Sequence, residues 1–120
     1  MVCLPNSKDR VLVVDDQEEI RRIISRLISL LGYEVATAGN GREGLDLFCL
    51  IPFNLVITDL DMPEVDGLAL ANSIKERSPH TPVVMITGNG LDAAQEASVD
   101  VVIHKPFNLA DLENTVQMFI

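Results

Sequence analysis

An open, doubly wound α/β sheet of five parallel strands with five flanking helices is the fold the sequence predicts, on three observations. Short β-branched runs alternate five times with longer amphipathic stretches, the pattern that yields parallel strands joined by crossover helices. The mean hydropathy of +0.25 fits strands covered on both faces. A length of 120 residues suits one domain, enough to bury roughly two-thirds of the unfolded chain's surface around a single core. One domain over residues 1–120 is expected, ordered from about residue 9 to 119.

The first strand is Arg10–Val14, closed by Asp15 and Asp16. Ile20, Ile23, Ile24, Leu27, Ile28 and Leu31 then recur at helical spacing until Gly32 supplies a stop. Ile20, Ile24, Leu27, Ile28 and Leu31 suffice for the core face, leaving Ile23 and Leu30 as an apolar flank among Arg22, Arg26 and Ser29. Tyr33–Ala38 reads as the second strand, and after the Gly39-Asn40-Gly41 break a helix runs through Leu45, Leu47 and Phe48 to Pro52. Asn54–Thr58 forms the third strand and delivers Asp59. Pro63 and Gly67 punctuate the next loop, Asp66 is placed as an N-cap, and Leu68, Leu70, Ala71 and Ile74 give the third helix its apolar face before Pro79. Pro82–Ile86 is the fourth strand, ending at Thr87. Gly88 and Gly90 lead into a short helix over about Leu91–Ala97, followed by a fifth strand, Asp100–His104, and a last helix from about Asn108 to Phe119. Met62, Met85 and Met118 read as core or loop packing, and His80 and His104 as structural or outward-facing residues.

Charge and cysteine content exclude several functions. Nine Lys and Arg against 18 Asp and Glu give a net charge of −9, which argues against direct nucleic-acid binding or attachment to an anionic membrane. No run reaches the roughly 18 apolar residues of a membrane span. Cys3 and Cys49 are too few for a disulfide scaffold or a four-ligand zinc site, so a cytoplasmic domain is expected.

The polar residues that interrupt the apolar strands do so at their C-terminal ends: Asp15 and Asp16, Asp59, Thr87 and Lys105. In an open parallel sheet those ends share one edge, where ligands bind. Taken singly, each has a structural explanation, as an N-cap, a turn residue or a solvated lysine. Taken together, three carboxylates repel one another unless a cation bridges them, and an all-oxygen set with few protein ligands suits Mg²⁺. Lys105 adds a fixed positive charge and Thr87 a hydroxyl, both suited to an anionic oxygen. The set fits phosphoryl transfer to a carboxylate, with Asp59 as nucleophile.

The same residues resemble the receiver domain of bacterial two-component response regulators across essentially the whole chain. Val11-Leu-Val-Val-Asp15-Asp16 is similar to that family's acidic pair after the first strand, Asp59-Leu-Asp-Met62-Pro63-Glu-Val-Asp66-Gly67 to its phosphorylation-site loop, and Thr87 with Lys105-Pro106-Phe107 completes the pattern. The resemblance implies a flavodoxin-like fold and a Mg²⁺ cofactor. It also implies Asp59 as phosphoacceptor, with Asp15, Asp16, Asp59 and the backbone carbonyl of Asp61 as metal ligands. Thr87 and Lys105 would hold phosphoryl oxygens, and the Lys105-Pro106 bond would be cis. It further implies a phosphohistidine donor on a sensor histidine kinase or histidine phosphotransfer protein, and no enzyme activity beyond the domain's own phosphorylation and dephosphorylation; a homodimer is a further possible partner state. Asp61 and Asn89 would overhang the line along which water attacks the phosphoryl group.

Three features depart from the pattern, one of them Asp61, which adds a fourth carboxylate beside the site two residues beyond the phosphoacceptor. Thr87 and Lys105 are 18 residues apart, which shortens the fourth helix or its leading loop by about one turn. Where the family often carries Tyr or Phe, this chain has Val102, so no ring is available to swing at that position. Two alternatives stand beside this reading: a haloacid dehalogenase-type phosphohydrolase, on Asp59-Leu60-Asp61, and a docking module that works without phosphorylation. The first normally places its motif after the first strand, with Thr or Val where Pro63 stands here.

Overall fold

The computed structural model describes residues 9–62 and 65–120. Pro63 and Cys3 therefore lie outside the described residues. Ten elements follow in strict alternation: β1 (Arg10–Val14), α1 (Glu18–Leu30), β2 (Glu34–Ala38), α2 (Gly41–Leu50), β3 (Leu55–Asp59), α3 (Gly67–Arg77), β4 (Val83–Thr87), α4 (Ala93–Glu96), β5 (Val101–His104) and α5 (Leu109–Phe119). The five strands pair in parallel in the order β2-β1-β3-β4-β5. The chain thus first builds outward to β2, then crosses back over β1 to β3, and the C-terminal ends of β1 and β3 flank the point of reversal.

Because side chains alternate across a strand, the three central strands feed two cores. Val11, Val13, Leu55, Ile57, Val84 and Ile86 pack against Ile24 and Ile28 of α1 and Leu112 and Val116 of α5. Leu12, Val14, Val56, Val83 and Met85 pack against Leu70, Ala71 and Ile74 of α3, with Leu45, Leu47 and Phe48 of α2 around them. Burial on both faces holds for β1, β3 and β4 only; β2 and β5 are edges and partly exposed.

Local sequence sets the boundaries. Gly32, at φ 98°, ends α1 in the left-handed region open to glycine. Asp66 caps α3 by accepting from Ala69 N–H at 2.8 Å, and Asn40 and Asn108 cap α2 and α5 in the same way. The third strand is shifted by one residue from the sequence expectation: Asn54 lies outside it, with its side chain accepting from Arg10 N–H, and Asp59 lies inside. The fourth helix is shortened further than expected, to four residues closed by a capping box between Asp92 and Gln95. One packing assignment is corrected. Met118 is 71% exposed, because α5 needs only Leu112 and Val116 to meet the sheet.

Candidate functional site

β1 and β3 are neighbours in register, so the residues after Val14 and Thr58 emerge side by side at one end of the sheet. Asp15 is 1% and Asp59 3% exposed, while Asp16 is open to solvent. One carboxylate oxygen from each of the three lies within 4.8 Å of the others. Lys105 follows β5 and reaches back across β4, with its Nζ 2.8 Å from Asp59 Oδ1. That contact pairs the charges, and among the described residues Asp59 Oδ1 has no other polar partner. Asp15 Oδ2 has no hydrogen-bond partner among the described residues, although Asp15 Oδ1 accepts from Gln17 N–H at 2.9 Å.

Two buried carboxylate oxygens left with one ammonium between them are unusual, since nearly all such atoms are satisfied in folded proteins. With the exposed Asp16 they form a hard, anionic, all-oxygen pocket, the donor set that a small divalent cation takes. Burial holds the Asp15 and Asp59 carboxyls above their ordinary pKa. For Asp15 the bond from Gln17 and the charge of Lys105 oppose this, while Asp59 and Asp16 reinforce it; for Asp59, Lys105 opposes and Asp61 and Asp16 reinforce. Burial acts to lower the pKa of Lys105, but the carboxylates of Asp59, Asp15 and Asp61 outweigh it and hold the ammonium above its ordinary value.

Thr87 is fully buried at the end of β4, where its Oγ1 accepts from Asn89 N–H at 3.1 Å and its carbonyl accepts from Lys105 N–H at 2.8 Å. The Lys105-Pro106 bond is cis. Asp61 is exposed just past β3, His80 and His104 face solvent, and Cys49 is a free, exposed thiol. A further participant was not legible as such. A Cβ on Gly67 would stand 2.1 Å from the carbonyl oxygen of Asp59, so a glycine is what lets α3 begin against the strand that carries Asp59.

The response regulator receiver domain family model matches residues 11–117. This chain belongs to the response regulator receiver family. The domain is 37% identical over 119 residues to the probable transcriptional regulator ycf27 of Cyanophora paradoxa, and 36% identical over 114 residues to the regulatory protein AtoC of Escherichia coli. Those matches cover 95% and 91% of this chain but 49% and 24% of the relatives, so the receiver spans about half or less of the length of the curated proteins it matches. Among solved structures, the Thermotoga maritima response regulator TrrA in complex with Mg²⁺-BeF superposes with a TM-score of 0.88 at 31% identity, covering 93% of this chain and 99% of that one. Vibrio cholerae CheY4 gives 0.85 at 30%, covering 95% and 100%. The receiver assignment displaces the phosphohydrolase alternative, and Asp59 closes the third strand rather than following the first. Among the described residues, no helix is long and apolar enough to cross a membrane.

Proposed function

We propose that this receiver accepts a phosphoryl group on Asp59 from a phosphohistidine, in a Mg²⁺-dependent reaction that its own residues catalyse, and that the product switches a downstream output. The observation that carries the reading is the pair of buried carboxylate oxygens that the fold does not satisfy among the described residues: Asp15 Oδ2, which has no partner there, and Asp59 Oδ1, which faces only the Lys105 ammonium at 2.8 Å. Atoms kept in that state are available to ligands rather than committed to the fold.

In this mechanism Asp15, Asp16 and Asp59, with the backbone carbonyl of Asp61, would hold Mg²⁺. Bound there, the ion supplies charge neutralisation for the carboxylates and the incoming phosphoryl oxygens. An Asp59 oxygen forms the new bond to phosphorus while the bond to the donor's imidazole nitrogen breaks, the nitrogen keeping the electron pair. Lys105, already paired with Asp59, offers its ammonium to a phosphoryl oxygen on that residue. Thr87 has its lone pair engaged by Asn89 N–H, and no described residue accepts its own proton, so the hydroxyl can donate to a second phosphoryl oxygen. The TrrA complex with Mg²⁺-BeF supports this assignment.

The donor would approach beside α1. Ile23 and Leu30 are 48% and 75% exposed, and Ile20, Ile23, Pro106, Phe107 and Leu109 line an apolar cleft of about 600 Å³ that also touches Lys105. Exposed apolar surface on α1, continuous at Ile23 with a cleft that reaches Lys105, suits a protein partner. That the similar protein TrrA has been solved in complex with the histidine kinase ThkA supports a kinase in that role. The test is incubation with acetyl phosphate and Mg²⁺. One acid-labile phosphate per chain is expected in the parent and none in Asp59→Asn; labelling that persists in that variant, or without a divalent ion, overturns the assignment.

A further inference from the structure

We propose that Arg21 is a positioning residue for the acidic loop: its guanidinium fixes the peptide after Asp15, so that the free oxygen of Asp15 and the neighbouring Asp16 face the cation site. Every other polar atom of Asp15 is committed. Its N–H donates to the Ala38 carbonyl at 3.1 Å, its Oδ1 accepts from Gln17 N–H at 2.9 Å, and its carbonyl accepts from Arg21 Nη1 at 2.8 Å. Oδ2 alone is left, buried and without a partner among the described residues.

The first of these bonds holds the peptide before Asp15 and the second holds one carboxylate oxygen. Neither sets the plane of the peptide that joins Asp15 to Asp16; the bond from Arg21 does. That plane matters because Asp16 is exposed and has no hydrogen bond among the described residues, so its backbone is what aims it. The guanidinium is seated by Gly39 in the loop after β2. A Cβ built on Gly39 would stand 3.3 Å from Arg21 Nη1, the same atom that bonds the Asp15 carbonyl. Gly39 does not have a positive φ, so alanine there meets no backbone strain and acts on the arginine alone. The neighbour Arg22 provides the contrast: it is exposed and, among the described residues, pairs only with Glu18, at 3.8 Å.

This inference rests on the Mg²⁺ reading above, and a calorimetric titration of the whole chain with Mg²⁺ separates the two. Arg21→Ala should weaken Mg²⁺ binding by about tenfold, the usual effect of losing a group that orients a ligand. Gly39→Ala should weaken it in the same direction by less. The double variant should bind no more weakly than Arg21→Ala, because the group that the new methyl displaces is already gone. Arg22→Ala should match the parent. A loss of general stability would not produce that non-additive pattern. A parent that fails to bind Mg²⁺ overturns the metal reading and this one with it. A parent that binds, with Arg21→Ala and Gly39→Ala equal to it or with additive losses, overturns the positioning role alone. If Arg21→Ala does not fold, Gly39→Ala against Arg22→Ala still decides.

Discussion

Replacing Asp15 by Asn should make the metal-free protein more stable, although it removes a buried group that the site uses. With ligand oxygens of Asp15, Asp16 and Asp59 within 4.8 Å of one another, each pair of charges costs about 3.5 kcal/mol at an effective dielectric near 20. On the same scale, Lys105 at 2.8 Å from Asp59 returns about 6 kcal/mol. Asn at position 15 removes two of the three repulsions and the burial of one charge. It keeps an oxygen for Gln17 N–H and forfeits the attraction of Lys105 for Asp15. Each charge is spread over two oxygens and Asp16 is wet, which cuts the sum by more than half and leaves a gain of about 2 kcal/mol, or about 8 °C in Tm for a chain of this size. Mg²⁺ at about 100 times its Kd should then stabilise the parent by about 2.7 kcal/mol and the variant little, closing the gap. The pH dependence has a fixed sign. A carboxyl whose folded pKa is raised contributes stability that is fully present below its ordinary value of 3.8 and is lost as pH rises through the folded value, so the advantage of the variant at pH 7 should shrink on acidification. The assay is thermal and urea unfolding with a chelator and with Mg²⁺. A variant no more stable than the parent in chelator at pH 7 would refute the electrostatic account.

Gly67→Ala should cost about 1–3 kcal/mol, because its methyl would meet the Asp59 carbonyl at 2.1 Å, and it should also slow labelling by acetyl phosphate; a parent-like variant in both urea unfolding and labelling would show that α3 can retreat freely. The pair Ile23→Ser and Leu30→Ser should slow transfer from a phosphorylated kinase and leave labelling by acetyl phosphate unchanged, and unaltered transfer and self-association in folded variants would remove α1 as the docking surface. Asp61→Ala should lengthen the phosphorylated half-life several-fold, and Asp61→Asn less, since a loose transition state gains more from a positioned water than from charge. Decay faster than the parent, followed after donor removal at fixed Mg²⁺, would show that charge repulsion dominates at Asp61.

The central strands were legible because β1, β3 and β4 are covered on both faces, so their sequences are continuous apolar runs ending abruptly in Asp15, Asp59 and Thr87. The same contrast exposed the site, since a polar residue at the end of such a run has only one edge on which to lie. The exposed flank of α1 was legible too, because helical period separates Ile23 and Leu30 from the residues that face the sheet. Tertiary neighbours were not. Gly41 and Gly44, the buried residues of α2, face the Val65 carbonyl at 2.2 Å and Val14 Cγ2 at 2.8 Å from the position of an added Cβ, a demand that no local pattern encodes. Asp100 reads as a strand residue, yet its carboxylate binds Lys75 Nζ at 2.6 Å and Val83 N–H at 2.7 Å, tying α3 to the start of β4. Met118 reads as core because methionine is apolar, but the side of α5 on which it lies meets no other element closely enough to cover it.

The central claim is that Asp59 carries the phosphoryl group, and the most direct measurement is chemical trapping. After incubation of the whole chain with acetyl phosphate and Mg²⁺, borohydride reduces an acyl phosphate, but not a free carboxylate, to an alcohol, and peptide mass spectrometry locates the product. Homoserine at position 59, in Mg²⁺ and not in chelator, is the expected result. Homoserine at Asp15, Asp16 or Asp61 with Asp59 intact, or no reduced residue in a sample that carries labelled phosphate, would contradict it.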